Sequence, residues 1–436
     1  DLSLKSAELE VSGAAELMAK QSITATDASV EAASLAMTAE TGSVEALRLK
    51  TIVADQASIK AGNSATLDSS KLGAGALTAT ANSGDLSLKS AELDISGAAE
   101  LTAQESITAT DANVTSDSLT MKAETGSVEA SGFTATVADQ ASVEAGNSVM
   151  LDKAVLTAGA LTATANSGDL SVMDAVITAK NGEVTLTVEA ADINASNVKL
   201  TAEGEAKLTA QNSITAADAS VEAASLTMKA NTGSVEASRL TTTVTGQASV
   251  EAGNSVTLDK ALLTAGALTA TANLGDLSMK SAELDISGAA ELTAQDSITA
   301  EDATVEAASL AMTANTGSVE ASRLKTTVAD QASIVAGNSV TLDGSKLGLG
   351  AFTATANSGD LSLKSAELEV SGAAELTAQE SITATDSNVM SNSLAMTAKT
   401  GSVGATGFTA TVTGQASVEA GNSVTLDGSK LGLGAF

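Results

Sequence analysis

The side chains of this protein that could do chemistry are almost all carboxylates. The sequence has 53 Asp and Glu residues against 22 Lys and Arg residues, and it contains no His and no Cys. Paired carboxylates catalyse glycoside hydrolysis, and converging carboxylates bind calcium. Because imidazole and thiolate groups are missing, zinc fingers, disulfide frameworks, cysteine nucleophiles and histidine general bases are excluded.

Neither kind of carboxylate chemistry has the spacing that it needs. The chain has no Asp-x-Asp-x-Asp loop, so we expect no specific metal site and only diffuse binding of divalent cations to a net charge of −31. A catalytic cleft would need unique residues at one place. The one irregular stretch, residues 168–190, offers Asp174, Lys180 and Glu183, which are typical of a solvated surface. We therefore predict that the chain is not an enzyme and binds no cofactor.

The same charge limits the partners. A net charge of −31 opposes binding to nucleic acid and to anionic membrane surfaces. No run of 18 apolar residues occurs, so the sequence predicts no membrane span.

The acidic residues follow a tandem repeat. The phrase Gly-Asp-Leu-Ser recurs with its Asp at positions 1, 85, 169, 276 and 360, although the first copy lacks its Gly. Three of the four intervals are equal, and each such block holds four units of equal length, whereas the third interval holds one further and slightly longer unit, residues 168–190. An added unit of nearly the same length is tolerated by a one-dimensional stack. We predict one continuous array over 1–436, with blocks 1–83, 84–167, 168–274, 275–358 and a truncated 359–436.

Within each unit the apolar residues alternate with polar ones. Positions are counted from 0, so that Gly84 is position 0 of its unit. Position 2 is Leu, Ile or Val in all units but one, position 4 is always apolar, and the residue between them is polar almost everywhere. This period of two predicts strands, and turn residues separate three such stretches per unit. The fold class is therefore predicted to be all-β: a single parallel β-helix, or β-solenoid, with about 21 residues and three short strands per coil.

Stacking of successive coils brings opposite charges together. At position 6 the predicted inter-coil ion pairs are Asp27 with Arg48, Asp218 with Arg239, and Asp302 with Arg323. At position 5 they are Asp68 with Lys89, Asp259 with Lys280, and Asp343 with Lys364. These pairs are either a device that fixes the order of coils or ordinary exposed ion pairs, which contribute little to stability.

Three motifs indicate a relationship to known proteins. Gly-Asp-Leu-Ser-Leu at 84–88, Asn-Ser-Val-Thr-Leu-Asp at 254–259 and Leu-Thr-Ala-Thr-Ala-Asn-Ser-Gly at 161–168 resemble the haemagglutinin-type repeats of filamentous-haemagglutinin-like adhesins, over essentially the whole chain. The resemblance implies a right-handed parallel β-helix, secreted and displayed as a long fibre at the cell surface.

The resulting functional hypothesis is a structural protein. We expect a rod- or filament-forming segment of a very large, extracellular fibre that is able to self-associate. Its coils are expected either to be part of a longer repeat array or to continue into a neighbouring subunit. The alternative is an adhesin shaft that binds glycans or host cell surfaces, although it lacks the exposed aromatic and Arg clusters of binding surfaces. An ice-binding solenoid is less favoured, because the Thr-Ala-Thr row at 162–164 recurs only once in four coils. Two sequons, at Asn113 and Asn194, are candidates for N-glycosylation.

Overall fold

The structure is a computed structural model that describes residues 1–435. The chain divides into two compact units: unit 1 comprises residues 1–212 and 219–224, and unit 2 comprises residues 213–218 and 225 onward. Each unit is a parallel β-solenoid of about 21 residues per coil. The described residues contain no helix, and hence no helix that is long and apolar enough to cross a membrane.

The first strand of each coil is short and regular. In both units it holds four residues and begins at position 2. In unit 1 the first strands are Leu2–Lys5, Ile23–Thr26, Val44–Leu47, Ala65–Asp68, Leu86–Lys89, Ile107–Thr110, Val128–Ser131, Val149–Asp152, Leu170–Met173 and Ile193–Ser196. In unit 2 they are Ile214–Ala217, Val235–Ser238, Val256–Asp259, Leu277–Lys280, Ile298–Glu301, Val319–Ser322, Val340–Asp343, Leu361–Lys364, Ile382–Thr385, Val403–Thr406 and Val424–Asp427.

The second and third strands are separate in most coils of unit 1. The second strands there are Lys50–Val53, Lys71–Ala74, Glu92–Ile95, Asn113–Ser116, Thr134–Val137, Val155–Ala158, Val176–Ala179, Lys199–Ala202 and Ser220–Ala223. The third strands are Gln56–Ala61, Ala76–Ala81, Ala98–Ala103, Ser118–Ala123, Gln140–Ala145, Ala160–Ala165, Val184–Val188 and Glu205–Ala210. In the first two coils the two strands run on as Glu8–Ala19 and Ser29–Ala39.

Unit 2 joins these strands more often. Its separate second strands are Thr241–Val244, Leu262–Ala265, Glu367–Val370 and Asn388–Ser391, and its third strands are Ser225–Ala230, Gln247–Ala252, Ala267–Ala272, Ala373–Ala378 and Ser393–Ala398. The joined strands are Glu283–Ala294, Thr304–Ala314, Lys325–Ala336, Lys346–Ala356, Thr409–Ala420 and Lys430–Ala435. In these coils the second and third of the three predicted strands are continuous, and a register shift marks the boundary between them.

Hydrogen bonds run from coil to coil in parallel register. Paired residues of the first strands are one unit apart in the sequence, as are Leu86 and Ile107. At the longer unit the separation between paired residues increases by the same amount, as between Leu170 and Ile193. Third strands depart from this constant spacing. Leu77 lies opposite Ala99, one residue beyond the unit length, and Ala99 lies opposite Leu119, one residue short of it. The spacing alternates because alternate coils carry an extra residue at the corner before the third strand, where the pairing register shifts.

The core is a narrow interior of stacked aliphatic side chains. Positions 2 and 4 are buried in all but the terminal coils, and three Phe side chains, Phe133, Phe352 and Phe408, are buried as well. Alternation places the residues between them on the outside. The outward residues of each strand thus form columns along the stack, and these columns carry the candidate functional residues.

Candidate functional site

A left-handed backbone corner ends the first strand of every coil. Position 6 has a φ between 47° and 62° in each coil, and only four of these residues are Gly, namely Gly132, Gly344, Gly407 and Gly428. A positive φ is costly for residues other than Gly, Asn and Asp, yet Arg, Ser and Lys also occupy this corner. The corner amide is paired with the neighbouring coil, as in the Asp27 N–H that donates to the Leu47 carbonyl at 3.0 Å. The sequence predicts a turn between the first two strands but not its left-handed conformation, for which the occurrence of Gly among polar residues at position 6 was a signal.

Three of these corners carry forked ion pairs. The Arg48 Nε and Nη2 donate to the two carboxylate oxygens of Asp27 at 2.6 and 2.9 Å. Arg239 binds Asp218 in the same way, and Arg323 binds Asp302 at 2.5 and 2.7 Å. All six side chains are about half exposed.

The guanidinium groups alter the titration of their partners. The hydrogen bonds from each Arg lower the pKa of Asp27, Asp218 and Asp302, with a further contribution from the positive charge. The pKa of each Arg is raised for the same reason. A bidentate pair is geometrically specific, so it distinguishes a correct neighbour from a coil with Gly at position 6.

The three predicted pairs at position 5 differ in whether their charged groups come close enough to form an ion pair. Lys364 Nζ lies 3.1 Å from Asp343 Oδ2. Lys89 and Lys280 lie opposite Asp68 and Asp259 in register, but neither pair approaches within the 4.0 Å of an ion pair. The Asp68 carboxylate accepts a hydrogen bond from the Ser69 hydroxyl at 2.8 Å instead. All three pairs are therefore in register, but only Asp343 and Lys364 form an ion pair.

Other ion pairs were missed by the sequence analysis. Position 8 brings Lys71 to Glu92, and Lys346 to Glu367 at 2.9 Å. On the third strand Lys229 lies 3.0 Å from Glu251. The position 8 pairs could have been found by applying the unit-length stacking rule to that position. The third-strand pair could not, because its register is one residue longer than the unit.

The Asp of the Gly-Asp-Leu-Ser motif has a structural role at the corner where each block begins. Asp85 Oδ1 accepts the backbone N–H of Ser106 in the next coil at 2.9 Å. In the coils that follow, a Ser hydroxyl does the same, as Ser106 Oγ does for the Ser127 N–H at 3.1 Å. The adjacent Gly126 is required because an added Cβ would overlap Ser106 Oγ and lie 2.6 Å from a backbone carbonyl. The carboxylates of this motif thus accept backbone hydrogen bonds that connect the corners of neighbouring coils.

The two candidate glycosylation residues lie on strands. Asn113 is exposed and begins the second strand Asn113–Ser116, and Asn194 is half-buried in the first strand Ile193–Ser196. Both point outward, since their neighbours in the strands are buried.

A shallow groove of about 550 Å³ lies on the outer surface of unit 2. Its polar lining includes Glu369, Ser371, Asn392 and Thr413, and Met390 contributes an exposed apolar side chain. Thr413 Oγ1 donates to Asn392 Oδ1 at 3.0 Å. Carboxylate, amide and hydroxyl groups of this kind can bind the hydroxyls of a saccharide. No group of three or more Asp or Glu residues with the geometry of a metal site is found within residues 1–435.

One outward column of unit 2 is richer in Thr than the sequence analysis described. The third-strand register aligns Thr271, Thr293, Thr313, Val335, Thr355, Thr377 and Thr397 in seven successive coils. The second outward column of the same third strands contains the carboxylates of Glu291 and Glu375. A single Thr column with charged neighbours still matches an ice lattice poorly.

Comparison with known proteins gives one match. The family described as repeats of unknown function (DUF5649) matches residues 329–391, a stretch three coils long. No curated protein and no solved structure matches the chain. The matched residues lie within the solenoid of unit 2. The chain is thus a tandem-repeat β-helix protein, part of which is similar to the DUF5649 repeats.

Proposed function

We propose that this chain is a structural, filament-forming segment of a larger repetitive protein of the cell exterior. The observation that carries the proposal is the uninterrupted parallel ladder within each unit, in which neighbouring coils pair along all their strands. Parallel hydrogen-bonded coils resist extension along the stack, and each coil contacts only its neighbours, so such an array can lengthen without a new kind of contact. Its role is mechanical, with no turnover of a substrate.

The ion pairs support this role by fixing the order of coils. Near-identical units offer many wrong registers, and regularly repeated strands are prone to slippage. The forked Asp–Arg pairs connect particular neighbours, because only some coils have Arg at position 6. We propose that these pairs act mainly in selecting the neighbour, since exposed pairs add little stability.

Electron microscopy and fibre diffraction test the proposal. We expect smooth filaments of the purified chain that lengthen with concentration. Their diffraction should contain a strand spacing of about 4.8 Å along the axis and a weaker repeat of about 19 Å from the four-coil block. A preparation that stays as single particles at every concentration, or that gives amorphous aggregate without the strand-spacing reflection, contradicts the proposal.

The groove of unit 2 favours a second candidate function, an adhesin shaft that binds glycans. This candidate agrees with the resemblance to haemagglutinin-type repeats and rests on the polar lining around Asn392. A glycan array probed with the chain and with Asn392→Ala tests it. Binding that the substitution abolishes supports a glycan site, and no binding above a bovine serum albumin control refutes it.

A further inference from the structure

One face of unit 1 is free of charge across four coils. Its outward residues belong to the second strands that begin at positions 113, 134, 155 and 176. They are Asn113, Thr115, Thr134, Thr136, Val155, Thr157, Val176 and Thr178, and we call them the neutral face. The strand register places them in two columns, with Thr134 opposite Val155 and Val155 opposite Val176.

The neutral face is bounded by charged residues on both sides. The preceding coil presents Glu92 and Asp94 in the same two columns, and the following coil presents Lys199. The second strands of the first block carry Lys50 and Lys71 where this face has Thr134 and Val155. Uncharged residues also occupy these columns elsewhere, as Thr241 and Leu262 do in unit 2, but nowhere else in the sequence do they extend over more than two successive coils. The neutral face is therefore distinguished by its length along the stack.

Two large apolar side chains are exposed on this face. Val155 is 42% exposed and Val176 is 39% exposed. All residues of the neutral face except Asn113 are β-branched, and β-branched residues form the flat surfaces by which sheets pack on one another.

We propose that the neutral face is a lateral contact with the same face of a second copy of this chain. Two chains of charge −31 repel each other over most of their surfaces, and this repulsion is weakest where both present uncharged residues. A two-fold contact sets each Val against Val or Thr of the other copy, which buries apolar surface without burying a charge. The face has no aromatic or Arg anchor of the kind that recognises an unrelated protein.

The size of the face sets the strength of the contact. Four strands at about 4.8 Å and two outward side chains per strand give an area on the order of 200–300 Å² per copy. Stable dimers bury about 800 Å² per partner, so one contact is transient. Many copies of the segment along two filaments would make the association strong, because each contact after the first is effectively intramolecular. The lateral role thus rests on the proposed filament function, whereas the pairwise contact can be measured without filaments.

Single cysteines test the contact, because the chain has no cysteine of its own. Val176→Cys places a thiol on the neutral face, and Leu262→Cys is the matched control. Leu262 has the same 39% exposure and the same position in its coil. Each of the two residues has a charged neighbour on one side, Lys199 for Val176 and Glu283 for Leu262, but the uncharged surface that includes Leu262 spans only two coils, with Thr241 in the other. Both variants are oxidised as full-length chains at equal concentration, and disulfide-linked dimer is followed on non-reducing gels. Reaction with a small neutral disulfide corrects for intrinsic thiol reactivity.

The corrected rate of dimer formation is expected to be at least about 10-fold higher for Val176→Cys than for Leu262→Cys. Addition of Val155→Lys to the Val176→Cys chain should remove this advantage while the circular dichroism spectrum stays unchanged. Raising the NaCl concentration about 10-fold, from a low-salt buffer, should speed dimer formation, because salt screens the repulsion between the chains.

Equal corrected rates for the two cysteines, or no effect of Val155→Lys, overturn the proposal. A rate that falls with salt indicates docking of opposite charges and also overturns it. Electron microscopy separates this result from the proposed function: filaments without preferential cross-linking at residue 176 refute only the lateral contact. Cross-linking without filaments refutes the filament role and leaves the pairwise contact standing.

Discussion

The buried hydroxyl of Thr326 should make unit 2 less stable than it would be with Val at the same place. Thr326 is 6% exposed and lies between Val305 and Leu347 in its column, and its Oγ1 has no hydrogen-bond partner. A buried polar group without a partner costs about 1–3 kcal/mol. Val has nearly the same shape and no hydroxyl, so Thr326→Val should raise the free energy of unfolding by about 1–2 kcal/mol.

A hydroxyl that is bonded provides the matched control. Ser345, also in unit 2, is fully buried; its Oγ accepts the Leu324 N–H at 3.2 Å and donates to the Ala321 carbonyl at 3.0 Å. Ser345→Ala leaves that N–H buried and unpaired, so the free energy of unfolding should fall by about 1–3 kcal/mol. The two substitutions each remove one buried hydroxyl yet should act in opposite directions.

Urea unfolding followed by circular dichroism measures both effects. Because repeat arrays can unfold in parts, the comparison uses the midpoint of the transition and requires an unchanged slope. The midpoint should rise for Thr326→Val and fall for Ser345→Ala. If Thr326→Val lowers the midpoint, the hydroxyl has a partner that the geometry does not reveal, and the reasoning from unpaired groups is wrong.

Two further predictions concern the corners. Arg323 lowers the pKa of Asp302 below its unfolded value of about 4, so the stability from this pair is present above that pH and is lost as the pH falls through the folded pKa. The urea midpoint of Arg323→Gly should therefore drop less between neutral pH and about pH 3 than that of the parent chain, and an equal drop would contradict the assignment. Gly401→Ala should lower the free energy of unfolding by about 2 kcal/mol, because its Cβ would lie 2.7 Å from the Glu380 carbonyl. Gly404→Ala in the same coil has nothing within 4 Å and should be neutral or stabilising, so equal effects of the two would refute the crowding argument.

Much of the fold could be predicted from the spacing of residues. Alternation at positions 2 to 4 predicts the first strands, and the unit length predicts their register, as Leu86 opposite Ile107 confirms. The prediction of a β-solenoid with about 21 residues per coil is confirmed, and in some coils the second and third strands run on through a register shift, as in Glu283–Ala294. Composition could not reveal this difference, because whether the corner interrupts pairing depends on local backbone geometry rather than on residue type.

The candidate site was less accessible to prediction. Spacing alone located the position 6 pairs, because Asp27 and Arg48 are one unit apart. It could not distinguish Asp343 and Lys364, which meet, from Asp68 and Lys89, which do not, since the directions of long side chains depend on their neighbours. The neutral face was also missed, because it appears only when residues of four coils are placed side by side.

The sequence by itself determined the class of fold, the length of the coil and the exclusion of thiol and imidazole chemistry, because these depend on periodicity and composition. The handedness of the solenoid remains a prediction from resemblance. Only the tertiary structure decided the backbone corner at position 6, the alternating longer and shorter register of the third strands and the unpaired hydroxyl of Thr326. The physical reason is that these features are relations between neighbouring coils, set by how backbones and side chains pack, and no single unit contains them.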